Sequence, residues 1–181
     1  VVDDQIKARR FASLMVPHLD AAYNLARWLM RNDHDAEDAV QESFLRALRF
    51  FDGFRGGDAR VWLLTIVRHT CFTRLDKHRR RELEVPFEED VHSGSGSEHN
   101  AGAVSAPDAQ LLAAANQSML NRAIESLSAA HREVLVLREL EELPYREIAR
   151  VTGVPIGTVM SRLSEARRRL REAYGRVAEE G

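Results

Sequence analysis

The sequence predicts an all-α protein, on three observations. Apolar residues recur at helical spacing through most of the chain, no segment alternates strongly enough to read as a strand, and Gly- or Pro-bearing breaks separate the helical runs. Between two such regions lies VPFEEDVHSGSGSEHNAGAVSAPDAQ, rich in Gly, Ser, Pro and acids. Without an apolar period it has no burial to offset the entropy of ordering. The expected architecture is two small helical domains, residues 1–82 and 116–176, joined by a flexible acidic linker over 83–115.

Before the linker, Phe11, Leu14, His18, Leu19, Ala22, Leu25, Ala26 and Leu29 mark one long helix ending near Asn32. In DHDAEDAVQESFLRALRFF, Asp35 is the expected cap, with Glu37 and Asp38 in the first turn, where the helix dipole favours negative charge. Ala36, Val40, Phe44, Ala47, Leu48 and Phe51 form the buried stripe of that helix. GFRGGD breaks the pattern, and Asp58 is the expected cap for a third helix, ARVWLLTIVRHTCFTRLDKHRR, whose inner side takes Trp62, Ile66, Leu63 or Val67, and Phe72.

After the linker, Met119, Leu120, Ala123, Ile124 and Leu127 begin a helix that breaks at Leu127-Ser128, and HREVLVLRELEE makes another. Pro144 suits the first turn of a short helix, PYREIARV. Gly153 supplies the permissive backbone of the turn TGVP, and Pro155 stands where a last helix can begin. In that helix Val159, Leu163, Ala166 and Leu170 share one face, leaving Thr158, Ser161, Arg162, Glu165, Arg168 and Arg169 outward.

Composition narrows the function classes. The single cysteine, Cys71, rules out an internal disulfide framework, and no apolar run approaches the roughly 18 residues of a membrane span. The N-terminal VVDDQIKARR lacks the apolar core of a secretory signal, so a reducing, cytoplasmic setting is expected. A net charge of -2 argues weakly against nucleic acid, but the average conceals blocks. Residues 59–81 carry seven basic residues against one acid, a net of +6; residues 82–108 carry seven acids and no Lys or Arg; residues 144–174 carry seven arginines against three acids, a net of +4. Two basic modules flank an acidic strap.

The strongest local signal is the short helix, Gly-containing turn and second helix from Tyr145 to Arg171. Ile148, Ala149, Gly153, Val154, Val159 and Leu163 have the spacing of a helix-turn-helix, which frees the start of the second helix to enter a major groove. The plainer alternative is a helical hairpin with a solvated arginine-rich face.

LSAAHREVLVLRELEELPYREIARVTGVPIGTVMSRLSEARRRLRE closely resembles region 4 of the sigma-70 family, and DAEDAVQESFLRALRFFDGFRGGDARVWLLTIVRHTCFTRLDKHRRR resembles its region 2. Their order and separation are similar to the extracytoplasmic-function (ECF) group, which keeps only these two domains. The resemblance implies a subunit that binds core RNA polymerase, directs it to promoters and assists melting, typically in a stress response. It also implies contacts with the β′ clamp helices and the β flap, and an anti-sigma factor that holds the protein inactive.

Residue by residue, the resemblance makes Asp35, Asp38, Gln41, Glu42 and Leu45 candidates for docking on the clamp helices. The acidic sign of this block would complement a basic partner, although helix-start stabilisation explains Glu37 and Asp38 equally well. For the minus 10 element it implicates Asp58, Ala59 and Arg60 as a base pocket, and Arg68, His69, Arg74, Lys77, Arg79 and Arg80 along phosphates and bases. His69 stands where many relatives carry asparagine, a departure from the pattern at a position the resemblance assigns to base contact. Trp62 is assigned to core packing over base stacking. For the minus 35 element it implicates Pro155, Thr158, Met160, Ser161, Arg162, Ser164 and Glu165, with Arg167 and Arg168 on phosphates. Met160 and Glu165 occupy sites often basic in relatives, which would weaken nonspecific affinity. The acidic linker either threads the polymerase cleft and RNA exit channel, as the resemblance implies, or is a solvated spacer.

Catalysis is not expected. His69, Cys71 and His78 lack a recognised metal spacing, no Gly-rich phosphate loop follows a strand, and no nucleophile has a matched base, so neither metal nor cofactor is assigned. Two competing classes remain: a conventional operator-binding regulator, disfavoured by the lack of a sensor-sized domain, and a sigma mimic that sequesters an anti-sigma protein, disfavoured by the basic helix at 74–81.

Overall fold

The computed structural model describes residues 2–84 and 107–179, and every regular element among them is helical. Most of the acidic stretch read as a linker lies outside the described residues. The expected single N-terminal helix is instead two, α1 (Val2–Met15) and α2 (Leu19–Met30), separated by a 3-10 turn at Val16–His18. Pro17 explains the break, because it lacks an N–H and its ring collides with the preceding turn. α2 ends in a left-handed residue, Arg31, whose N–H donates to the Arg27 carbonyl.

α3 (Asp33–Phe50) starts from an extended Asn32, whose side-chain oxygen accepts from the Asp35 N–H at 3.0 Å. Asn32, not Asp35, is therefore the cap: Asp35 sits in the third helical position and supplies the N–H that is capped. The buried stripe of α3 is made of small residues, Ala36, Ala39, Val40, Ser43 and Ala47, so α2 and α4 approach closely. Leu48, expected inside, is exposed, and Phe44 is half-buried. Phe11, Phe51, Phe54 and Trp62 form a chain of ring contacts at 5.3, 6.0 and 5.1 Å. Trp62 thus packs into the core.

Gly56 and Gly57 both adopt positive φ in the turn that follows, a conformation costly for any residue with a Cβ. Asp58 then caps α4 (Ala59–Glu84), accepting the Val61 N–H at 3.1 Å, as the sequence predicts. Val61, Leu63, Leu64, Val67, Thr70 and Cys71 form its inner face.

The second half begins with α5 (Pro107–Glu125), which starts inside the stretch read as linker. Proline at the first helical position and an alanine-rich sequence favour the helix, but residues 113–118 are exposed all round, so no apolar stripe announces it. Ser128 caps α6 (Ala129–Leu135). The buried Arg132 donates to the Glu125 and Leu127 carbonyls at 2.8 and 2.5 Å, satisfying the end of α5. α6 runs into a π turn, Val136–Leu140, closed by the Glu141 N–H on the Val136 carbonyl, with Glu142 left-handed at φ 54°. α7 (Tyr145–Thr152) follows Pro144 directly, and Gly153 at φ 70° ends it, its N–H on the Ala149 carbonyl. α8 (Ile156–Glu179) buries Val159, Leu163 and Ala166.

α1 to α4 form one helical unit and α5 to α8 another, and the two units touch. α7 packs on α4 and α6 on α2, so a single apolar cluster runs from Phe11 through Leu25, Leu64 and Val67 to Leu137, Ile148 and Leu163. Leu25→Ala should cost about 2–5 kcal/mol of stability, the usual cost of truncating a fully buried leucine, read from urea unfolding. Asn32→Ala should cost about 1 kcal/mol in the same assay.

Candidate nucleic-acid interface

The residues singled out for polymerase docking lie along α3. Gln41 and Leu45 are exposed, Leu45 at 63%, and Leu48 and Phe50 extend the apolar surface beside it. An open groove of about 460 Å³ between α2 and α3 is lined by Leu19, Tyr23, Val40, Gln41 and Phe44. Asp35 is half-buried at the start of the helix. Asp38 and Glu42 face α4, where Arg74 reaches Asp38 at 3.3 Å and Glu42 at 3.2 Å; Glu42 also accepts from Arg46 at 2.5 Å. The fold therefore joins one docking candidate set to one DNA candidate, Arg74.

The minus 10 candidates share α4 and the turn before it. Asp58 is committed to capping, and Ala59 is half-buried beside it. His69, Lys77, Arg79 and Arg80 are exposed, with Arg79 at 3.4 Å from Asp76. His69 and Cys71 point to opposite sides: Cys71 is buried, and burial pushes its thiol up to about 12, which leaves it unreactive. Among the described residues no group of His, Cys, Asp and Glu could hold a metal ion, and no helix is long and apolar enough to cross a membrane.

The minus 35 candidates cluster on the first turns of α8. Pro155, Met160, Ser161 and Ser164 are exposed and Thr158 is half-buried, with the Ser161 hydroxyl donating to the Thr158 carbonyl at 3.0 Å. The arginines here are paired with their own chain. Arg167 donates to Glu139 at 3.0 and 2.6 Å; Arg168 reaches Glu165 at 2.7 Å and Glu172 at 2.5 Å; Arg169 reaches Glu165 at 2.6 Å. Hydrogen bonds from Arg168 and Arg169 hold the Glu165 carboxyl down at about 2. Because that value lies below the ordinary 4.5, the pairing is complete above pH 4.5 and is lost as the pH falls toward 2.

Three further candidates meet buried carboxylates, two of them across the boundary between the units. Arg60 of α4 pairs with Glu141, which also accepts from Asn24 of α2 at 3.0 Å. Arg68 of α4 grips Glu133 of α6 through Nε at 2.6 Å and Nη2 at 3.3 Å, its guanidinium lying over Phe72 at 4.6 Å. Arg162 of α8, in the same unit as Glu133, reaches its Oε1 at 3.5 Å. Glu133 is fully buried, and that burial raises its carboxyl above the usual range while Arg68 and Arg162 pull it back.

A two-unit helical chain with a helix-turn-helix at its end and a long cationic helix in its first half is the arrangement with which the comparisons agree. Residues 14–81 match the model of sigma-70 region 2, and residues 117–170 match that of sigma-70 region 4. The ECF RNA polymerase sigma-E factor of Haemophilus influenzae is 34% identical over 79% of this chain and 75% of its own length. The chain belongs to the ECF group of the sigma-70 family. The ECF sigma factor SigE of Mycolicibacterium smegmatis is 31% identical over 98% of this chain and 66% of its own, so this sigma factor spans just under two thirds of that relative. Among solved structures, the Bartonella quintana sigma factor RpoE, determined with the anti-sigma factor NepR, aligns with a TM-score of 0.69 at 27% identity, over 91% of this chain and 96% of its own.

Sequence reasoning missed Glu133, Glu141, Asn24 and Arg27, which together carry the polar contacts between the units; Arg27 reaches Glu125 of α5 at 3.7 Å. One signal was present: Glu133 is an acid inside the apolar run of HREVLVLREL, where an unpaired charge is costly. On α8, Glu165→Gln should release Arg169, leave Arg168 on Glu172 and remove one negative charge. Its measured signature is tighter nonspecific DNA binding in a fluorescence anisotropy titration, with the log–log salt slope steeper by about 1.

Proposed function

We propose that this sigma factor binds core RNA polymerase, positions two DNA-reading surfaces on a promoter and assists its melting, while the polymerase carries out the chemistry. The division of labour follows the expected domains: 1–82 for polymerase docking and the minus 10 element, 83–115 as connector, and 116–176 for the minus 35 element. The observation that carries the reading is the pairing of an exposed recognition-helix start, from Pro155 to Ser164, with a second cationic helix whose outer end displays Lys77, Arg79 and Arg80.

Asp35, Asp38, Gln41, Glu42 and Leu45 would dock on the β′ clamp helices, and the exposed apolar side chains of α3 support this, since a surface for a large partner needs apolar contact as well as charge. Arg162 would read a base edge, with Thr158, Met160, Ser161 and Ser164 around it and Arg167 and Arg168 on phosphates. Asp58, Ala59, Arg60, Arg68, His69 and Arg74 would meet the separated minus 10 strand, with Asp58 acting mainly by holding the start of α4. An anti-sigma factor is the expected antagonist, as the Bartonella relative was determined with one. A stress response and a cytoplasmic site of action follow from the same reading.

Promoters selected from a random library and tested by run-off transcription check the proposal. Transcript should appear only when core polymerase and this chain are both present. Lys77→Ala together with Arg79→Ala should lower transcript by about tenfold on duplex templates, equivalent to about 1.4 kcal/mol, and a template with a pre-opened minus 10 bubble should restore it. Leu45→Asp should fail on both templates. Core-independent operator binding without any transcript would instead make the chain a conventional regulator.

A further inference from the structure

The start of α8, assigned to the minus 35 element, carries an apolar surface that its own fold does not use. Val159, Leu163 and Ala166 take the inner face, yet Ile156 remains 43% exposed and Met160 53% exposed. The two stand four residues apart, so their side chains are neighbours on the helix surface. Around them the outward face is short and uncharged, with Gly157, Ser161 and Ser164 exposed. Gly157 lies in ordinary helical backbone, and a Cβ there would meet open space, so the fold itself does not require a glycine. From Ile156 to Ser164 the one charged residue is Arg162, which is half-buried and reaches Glu133. Cations stand further out: Arg146 and Arg150 are exposed on α7, and Arg168 and Arg169 further along α8.

We propose that Met160, with Ile156 beside it, reads the C5 methyl groups of thymine in the major groove of the minus 35 element. The inference rests on the promoter-binding reading above and names the base feature that this surface recognises. Thymine is the one DNA base that presents an apolar group on the major-groove edge, and an apolar side chain is the complement of that methyl. Methionine suits the contact, because its unbranched, polarizable thioether adjusts to an irregular surface. The short residues at 157, 161 and 164 let the helix backbone come close to the base edges. Two apolar side chains bordered by arginines match the groove of a polyanion, in which the bases lie between two rows of phosphates, better than they match an apolar protein surface. Arg162, two residues on from Met160, points to another side of the helix, so the base it reaches is a different one.

The test uses the holoenzyme, assembled from core polymerase and this chain, on promoter fragments that it selects from a random library. Each thymine of the selected minus 35 element is replaced singly by deoxyuridine, which removes the methyl group and keeps every hydrogen-bonding atom. Wild-type affinity, read by competition in a fluorescence anisotropy titration, should fall about fourfold at each contacted thymine, the worth of one buried methyl. With Met160→Ala the thymine and deoxyuridine fragments should bind alike at the position of strongest effect, and Met160→Leu should restore the discrimination. Met160 is exposed, so neither substitution disturbs the core. The proposal is overturned by a selected element without thymine, or by wild-type affinity that ignores the substitution. It is equally overturned by a deoxyuridine penalty that persists unchanged in Met160→Ala, since the methyl would then act through DNA shape or another residue. If the holoenzyme selects no promoter and makes no run-off transcript, the promoter reading itself falls, a failure distinct from normal transcription with no preference for the methyl.

Discussion

A carboxylate fully withdrawn from water has to be paired, and at Glu133 the pairing brings together three helices that sequence separates widely. Burial raises the cost of the charge, Arg68 from α4 and Arg162 from α8 repay it, and the position of α6 against α4 follows from that requirement. Glu141, beyond the π turn, repeats the arrangement with Asn24 and Arg60. The apolar cluster that spans both units supplies most of the burial, but apolar contact is non-directional. The ion pairs decide which faces meet.

The same economy runs through the rest of the charged surface. Arg74 is tied to Asp38 and Glu42, Arg167 to Glu139, and Arg168 and Arg169 to Glu165. An arginine paired with its own chain binds DNA only by exchanging one partner for another, so the free chain is a poorer polyanion binder than its basic blocks suggest. This agrees with a factor whose DNA contacts become useful on a polymerase scaffold. Lys77 and Arg80, exposed at the far end of α4, offer positive charge for a first encounter with phosphate.

Much of the fold was legible because it follows from local rules. The helix-turn-helix could be read from Gly153, Pro155 and the Val159, Leu163, Ala166 stripe, since a left-handed cap and a period of 3.6 are properties of a few neighbouring residues. Asp58 as the cap of α4 and Trp62 as a core residue were legible for the same reason. The errors also have local causes. The apolar period continues across Pro17; Asn32, where the preceding helix is expected to end, has a side chain that caps as readily as Asp35; and α5 has no buried stripe over 113–118, so its helix shows only in propensity.

The sequence by itself determined the helical class, the two basic modules, the family resemblance and the side chains available to polymerase and DNA, because periodicity, capping and charge blocks are written along the chain. Only the tertiary structure decided that Arg60, Arg68 and Arg162 face Glu141 and Glu133. Those partners lie 81, 65 and 29 residues apart, and no local propensity carries information about which distant acid a given arginine will meet. That choice is made when the apolar faces of both units bury together and leave two carboxylates with no water to turn to.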